Sequence, residues 1–178
     1  MRKNFNEKVF LKEYFWENFD DDKIRTIERF FIFWNIFEKE IFDKKFSIRY
    51  DLNDDFWKKI RDIVDNILAF DEVGHLKSIC SFFKDYFNNW HCIPWKWIGK
   101  QESIEEDRTF NESWKSYFQN YSSIWDNEDI GHAVHYLIYF TSRLRNNLFH
   151  WIKDVRDLVY QVDLFHYANR FLALCIKK

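Results

Sequence analysis

The scarcity of glycine and proline is the feature that most constrains the fold of this chain. Its 178 residues include 3 Gly and 1 Pro. Because these residues supply most of the tight turns that a sheet-rich fold needs, their scarcity favours long elements. Apolar residues recur at helical spacing along most of the chain, which predicts amphipathic α-helices. We therefore predict an all-α fold, a helical bundle that forms a single domain over residues 1–178.

The apolar periodicity predicts seven helices separated by polar or irregular stretches. Five of them span about residues 5–19, 23–44, 75–87, 102–120 and 155–176, and the acids at 20–22 cap the second. The third runs from a cap at Asp51 or Asn53 to about residue 70. The sixth runs from a cap at Asp126 or Asn127 to residue 145 or beyond. A break is predicted over residues 71–74, and an irregular Trp-rich loop over about 88–101.

The same periodicity predicts which side chains are buried. The expected core residues of the second and third helices are Ile27, Phe30, Phe31, Trp34, Phe37, Ile41, Phe56, Ile60, Ile63, Val64, Ile67 and Leu68. The last helix is apolar on two faces, which is typical of a helix central in a bundle or shared with a second subunit. His166 and Asn169 interrupt one of these faces, and we expect both to be hydrogen-bonded polar residues of the core.

Composition excludes several classes of protein. No stretch approaches the apolar length of a membrane-spanning helix, and the first residues lack the apolar run of a signal peptide. The three cysteines are an odd number without C-x-x-C spacing, which disfavours a disulfide framework. A cytoplasmic location is therefore expected. The net charge of −2 is not that of a generally basic nucleic-acid binder, although residues 139–178 hold seven Lys or Arg against three Asp or Glu.

The basic segment contains the residues with the most distinctive chemistry. Over residues 141–157 it holds two arginines, two asparagines and a histidine within eight positions: Arg143, Arg145, Asn146, Asn147 and His150. An imidazole exchanges protons near neutral pH, and a guanidinium keeps a positive charge that suits a phosphate. Such a pair can cleave a phosphodiester without a metal, since one group moves protons and the other stabilises charge on the phosphoryl oxygens.

Two questions about this stretch stay open from the residues alone. Asn favours caps and turns, and Arg and His suit a last helical turn, so the stretch could be an ordinary helix end. On an unbroken helix Arg145 lies about 140° from His150 and points to the apolar face, so geometry pairs His150 with Arg143 instead. One polar stripe would then contain His132, His135, Tyr139, Arg143, Asn146 and His150.

Residues 145–150, Arg-Asn-Asn-Leu-Phe-His, resemble the signature of HEPN domains: an arginine, a polar residue, three further residues and a histidine. The flanking helices are similar too, so the resemblance extends over about residues 130–176. It implies a helical bundle that dimerises through the motif and C-terminal helices. In many members this is a metal-independent endoribonuclease, often a toxin or defence effector, whose Arg/His motifs meet at the dimer cleft. The resemblance thus implies RNA as substrate, an antitoxin protein as partner of the toxins, and no cofactor or metal.

The resemblance also assigns roles to individual residues. His150 would be the general base or acid, Arg145 would stabilise the phosphorane, and Asn146 would orient the phosphate or the imidazole. Weaker substrate contacts would come from Arg143, Asn147 and Lys153. Arg143 and Arg145 can both serve His150 if the helix bends or restarts around residues 146–147.

Two departures from the family pattern affect these expectations. Trp151 stands where many members have Gly, which could narrow access to His150. Ile152 stands where one toxin group has a Tyr that its partner nucleotidylates. The alternative function is a non-catalytic HEPN-like module that uses the same cleft to bind RNA, a nucleotide or a partner protein.

Three other patterns are weaker. Trp90, Trp95 and Trp97 with nearby lysines could stack bases, but a loop pinned by its tryptophans explains them as well. His132 and His135 have a spacing that can hold a metal, but their stripe lacks a carboxylate. Zinc at Cys80, His91 and Cys92 lacks a fourth ligand and a standard spacing.

Overall fold

The described part of the chain is entirely helical. The computed structural model describes residues 21–44, 54–89, 127–150 and 161–177, and the side chains of 87–89, 127, 128, 143 and 147–150 are outside that description. Five α-helices lie within these ranges: α1 (Asp21–Phe42), α2 (Asp54–Ala69), α3 (Val73–Asn89), α4 (Asn127–His150) and α5 (Val162–Ile176). The all-α prediction is confirmed for these ranges. Within them no helix is long and apolar enough to cross a bilayer.

The observed helix ends follow local chemistry. Asp21 and Asp22 lie in the first turn of α1, where carboxylates favour the positive end of the helix dipole. The turn between α2 and α3 is a Schellman motif, in which Asp71 N–H donates to Leu68 O and Glu72 N–H donates to Ile67 O. Asp71 takes the left-handed conformation with φ 54°. The predicted break is therefore confirmed at Asp71, whereas Gly74 lies inside α3.

Helix α5 is central in the bundle. It packs against all four other described helices. Phe165 meets Phe30 of α1 edge-on with ring centroids 5.1 Å apart, and Tyr167 stacks on Phe82 of α3 at 3.7 Å. Apolar residues from both faces of this helix thus pack within its own chain over Val162–Ile176, as expected of a helix central in the bundle.

The helix directions bring several termini to one end of the bundle. Asn169 contacts Thr26 while Phe165 contacts Phe30, so α1 and α5 are antiparallel. His135 contacts Trp57, and Gly131 lies against Ile60, so α2 and α4 are antiparallel too. The tight turn at Asp71 reverses the chain, so α3 is antiparallel to α2 and runs in the same direction as α4. Phe83 of α3 and Phe140 of α4 are in contact. The carboxyl ends of α1, α3 and α4 therefore lie at the same end as the start of α5.

Three predictions about the helices and the core are wrong. The last helix begins at Val162 instead of Val155, because Gln161 has the non-helical dihedrals of an N-cap. Leu68, at the flank of the buried stripe of α2, is 37% exposed. His166 points to solvent from α5 instead of lying in the core. In addition, Phe31, Ile41 and Phe56 are only partly buried. The remaining predicted core residues of α1 and α2 are buried: Ile27, Phe30, Trp34, Phe37, Ile60, Ile63, Val64 and Ile67.

Several predictions fall outside the described residues. These are the helices predicted at 5–19 and 102–120, the Trp-rich loop beyond residue 89, and the segment from Trp151 to Tyr160 that contains Lys153.

Candidate functional site

Helix α4 contains the whole Arg-to-His motif without interruption. It runs from Asn127 to His150, so the restart around residues 146–147 that would bring both arginines to the histidine does not occur. On a continuous helix positions 145 and 150 are about 7.5 Å apart along the axis and about 140° apart around it. Position 143 is aligned with position 150 to within about 20° but lies about 10.5 Å away along the axis.

Arg145 and Asn146 form a hydrogen-bonded pair directly after the buried residue Leu144 of α4. Leu144 is buried, with 4% exposure, whereas Arg145 and Asn146 are half-buried. Arg145 Nη1 donates to Asn146 Oδ1 at 2.9 Å. The Nε atom of Arg145 is buried, so the side chain is enclosed along part of its length and bonded at its tip. This contact was missed in the sequence, where only the adjacency of the two residues hinted at it.

The turn before Arg145 contains two buried hydroxyls that belong to the helix itself. Thr141 and Ser142 are 0% and 1% exposed. Their hydroxyl groups donate to Leu137 O and Tyr139 O, each at 2.6 Å. Such bonds satisfy a buried hydroxyl within its own helix. Both residues are therefore structural, and the candidate site begins after them.

The polar stripe predicted along α4 is not one continuous site wall. His135 lies against the rings of Phe56 and Trp57 with centroids 5.6 and 5.2 Å away. His132 is more exposed, with its ring 6.5 Å from Trp57. This half of the stripe is thus the contact surface with α2. It is separated from Asn146 by eleven residues, about 16 Å of helix.

The nearby end of the bundle also holds a tyrosine with a perturbed pKa. Burial, and then the negative charge of Asp163 in the first turn of α5, raises the pKa of Tyr86 on α3. Burial likewise raises the pKa of Tyr136 on α4. Both phenols are therefore neutral hydrogen-bonding groups at physiological pH, and neither is suited to act as an anionic base there.

The cysteines of the described residues are inert. Cys80 and Cys175 are free thiols with at most 1% exposure. Burial raises the pKa of both thiols, which suppresses the reactive thiolate. Within the described ranges no three His, Cys, Asp or Glu residues come together as a metal site would require. His91 and Cys92, the other members of the zinc pattern, lie outside these ranges.

The other predicted site residues stay predictions. Arg143, Asn147 and His150 are placed on α4 by the backbone, at an end of the bundle where other helix termini meet. Lys153 and Trp151 lie outside the described residues. Comparison of the chain with protein-family models, with curated proteins and with solved structures found no match. The resemblance to HEPN domains therefore rests on residues 145–150 and their helical flanks.

Proposed function

We propose that this chain is a HEPN-like, metal-independent endoribonuclease whose site is the carboxyl end of α4. The observation that carries this proposal is the Arg145–Asn146 pair, with Nη1 and Oδ1 2.9 Å apart, on a helix that continues to His150. A guanidinium held by a neighbouring amide and a histidine further along the same helix are the two kinds of group that such cleavage uses, one to stabilise charge and one to move protons.

The proposed reaction uses the RNA's own 2′-hydroxyl as nucleophile. His150 removes its proton, the 2′-oxygen bonds to the adjacent phosphorus, and the bond from phosphorus to the 5′-oxygen breaks. The products are a 2′,3′-cyclic phosphate and a 5′-hydroxyl, whose proton comes from a general acid. Arg145 stabilises the charge that builds on the non-bridging oxygens, where a fixed cation favours the transition state over the ground state.

The proposed enzyme is a homodimer. The reaction needs one group to remove a proton and another to supply one, and each chain has a single histidine in the motif. A two-fold axis near the end of α4 would bring two copies of His150 to one cleft. Because α5 is covered within its own chain, we place the proposed contact at the end of α4 and the start of α5, near the motif. Sedimentation showing a monomer at micromolar concentration would contradict the dimer.

The test is cleavage of total cellular RNA in excess chelator. We expect the wild type to cleave, and His150→Ala to lose at least about 100-fold in rate, in line with removal of a general acid–base group. The matched control is His75→Asn. His75 is exposed, lies at the opposite end of the bundle beside Glu72, and should retain full activity. RNA cleavage that is lost only in His75→Asn, or RNA cleavage that is retained in His150→Ala, would contradict the catalytic role of His150.

One observation favours a second function, a non-catalytic HEPN-like module that binds RNA, a nucleotide or a partner protein. The continuous α4 places Arg145 and His150 on different sides of the helix axis. An anion held by Arg145 would then not need to meet the imidazole. In this case the wild type would bind RNA or a nucleotide with a micromolar Kd that Arg145→Gln weakens. It would cleave nothing, with or without metal.

A role as a toxin or defence effector follows from the family resemblance and is proposed on that ground. Expression in a bacterial host should then arrest growth, and His150→Ala should relieve the arrest. An antitoxin protein would be recognised as a partner that restores growth when it is co-expressed. The role would be contradicted if the wild type left growth unaffected although the cell extract contained enough of the protein to degrade RNA.

A further inference from the structure

The continuous α4 separates both arginines of the proposed ribonuclease from the position of His150. Arg145 has the shorter axial distance to position 150 but starts on the wrong side of the helix, about 140° away. Arg143 starts on the correct side but lies two helical turns away. Neither position alone delivers a guanidinium to the phosphate that His150 would act on.

Asn146 lies between Arg145 and position 150, both along the helix and around its axis. It is one residue from Arg145, about 100° around the axis, and one turn before position 150, from which it is about 40° away. Residues at i and i+4 are neighbours on a helix surface, whereas residues at i and i+1 do not face each other. The bond from Arg145 Nη1 to Asn146 Oδ1 therefore requires the long arginine side chain to extend around the helix toward the side of Asn146.

We infer that Asn146 is a positioning residue, which draws the Arg145 guanidinium around α4 onto the side of the helix where His150 is attached. This inference rests on the proposed ribonuclease and deepens it. It replaces the earlier expectation that Asn146 orients the phosphate or the imidazole itself. It also favours Arg145 over Arg143 as the partner of His150, since the bond reduces the angular separation that geometry alone imposes.

The chemistry of the amide suits this role. Its oxygen accepts from the guanidinium without adding a negative charge, so this bond does not neutralise the cation. A guanidinium has five N–H donors, and a single bond to Asn146 uses one of them. A charge-assisted bond of this kind holds the planar group in one orientation. Most of the entropy of aligning it is then lost on folding, before the substrate binds.

The first test is kinetic. Asn146→Ala should lower kcat by about tenfold to 100-fold, the range that a misplacement of about 1 Å produces, with KM changed by less than threefold. Asn146→Asp keeps an acceptor oxygen in the same place but adds a negative charge beside the guanidinium, so it should recover only part of the lost kcat. Asn66→Ala on α2 removes a comparable half-exposed amide away from the site and should leave both constants unchanged. Ala also favours helix, so thermal melts should show that each variant is folded.

The second test does not depend on activity. In ¹⁵N NMR, a guanidinium held at Nη shows slowed rotation about its Nε–Cζ and Cζ–Nη bonds, and Arg145→Lys assigns the signal. We expect slow rotation in the wild type and in Asn146→Asp, and faster rotation in Asn146→Ala.

The two tests separate the inference from the proposed function. A wild type that cleaves RNA, with Asn146→Ala equal to it in kcat, would overturn the positioning role and leave the ribonuclease standing. A wild type that cleaves nothing would refute the ribonuclease, and the NMR signal would still decide whether Asn146 holds Arg145. An Arg145 signal that is the same in wild type and Asn146→Ala would overturn the inference in either case.

Discussion

The contact between Asn169 and α1 gives the sharpest prediction about stability. Asn169 lies on the central helix α5 and is 6% exposed. Its Nδ2 donates to Thr26 O at 2.8 Å. Its Oδ1 is buried and accepts no hydrogen bond from the described residues. The substitution Asn169→Asp replaces the donor by a carboxylate oxygen that faces the Thr26 carbonyl.

The expected cost follows from three changes. The substitution removes one hydrogen bond, worth about 1 kcal/mol, and turns an acceptor oxygen toward the Thr26 carbonyl, so an attraction is replaced by a repulsion. It also buries a charge without a partner, which adds to this penalty. We therefore expect a loss of about 3 kcal/mol or more in the free energy of unfolding at pH 7. A loss of that size is a large share of the total stability of a small domain.

The sign of the pH dependence is also determined. A buried carboxylate without donors has a folded-state pKa above its unfolded value of about 3.9. The folded state then binds more protons than the unfolded state between the two values, so stability falls as pH rises through that window. The variant should regain stability toward pH 4, by up to about 1.4 kcal/mol per pH unit relative to wild type.

The assay is urea unfolding of the wild type and two variants at several pH values between 4 and 8. Asn35→Asp is the matched control, because Asn35 makes the same kind of bond, from Nδ2 to Phe31 O at 2.7 Å, on the exposed side of α1. It should cost less than about 1 kcal/mol. Equal losses in the two variants, or an Asn169→Asp protein as stable as wild type at pH 7, would refute the burial argument.

Three further predictions concern the core, the chain end and the thiols. Phe165→Ala should cost about 3–5 kcal/mol in urea unfolding, because the ring is fully buried; a cost below 1 kcal/mol would contradict the central place of α5. The hydrogen bond from Lys177 lowers the pKa of the Glu72 carboxyl, so Lys177→Met should raise that pKa in an NMR titration. The stability due to this pair is present above the unfolded pKa of Glu72 and is lost as pH falls through its folded pKa. Cys80 and Cys175 should resist alkylation at pH 8 until urea unfolds the protein, and rapid labelling of either peptide under native conditions would count against their burial.

The helical core was predictable because one signal determines it. Residues such as Phe30, Trp34 and Phe37 recur at the period of a helix, and burial selects that period. The break after α2 was predictable in place but not in mechanism. Asp71 takes the left-handed conformation, whereas Gly74 continues the next helix, since a Schellman motif depends on hydrogen bonds that the sequence does not specify.

The surroundings of α5 were not predictable for a physical reason. Apolar residues on two faces of a helix indicate that both faces are buried. The sequence pattern is the same whether the chain's own helices or a second subunit bury them. The start of α5 was mispredicted because apolar residues such as Val159 keep helical spacing across Gln161. Periodicity does not detect an N-cap residue that lacks a capping side chain.

At the candidate site, too, helical periodicity does not determine the position of a long side chain. A helical projection gives the direction in which the Arg145 side chain leaves the helix, and that direction points away from His150. It does not give the position of a guanidinium about 6 Å from the backbone, which Asn146 holds by a hydrogen bond. The projection alone therefore does not determine whether the Arg145 guanidinium can reach the side of α4 on which His150 lies.

The most direct test of the proposed ribonuclease is the chemistry of the product ends. RNA incubated in excess chelator with the wild type and with His150→Ala would be analysed by mass spectrometry for its 3′ termini. We expect 2′,3′-cyclic phosphates from the wild type, and none above background from His150→Ala. Intact RNA with both proteins, or the same cyclic phosphates from the variant, would contradict the claim that this helix end is a ribonuclease site.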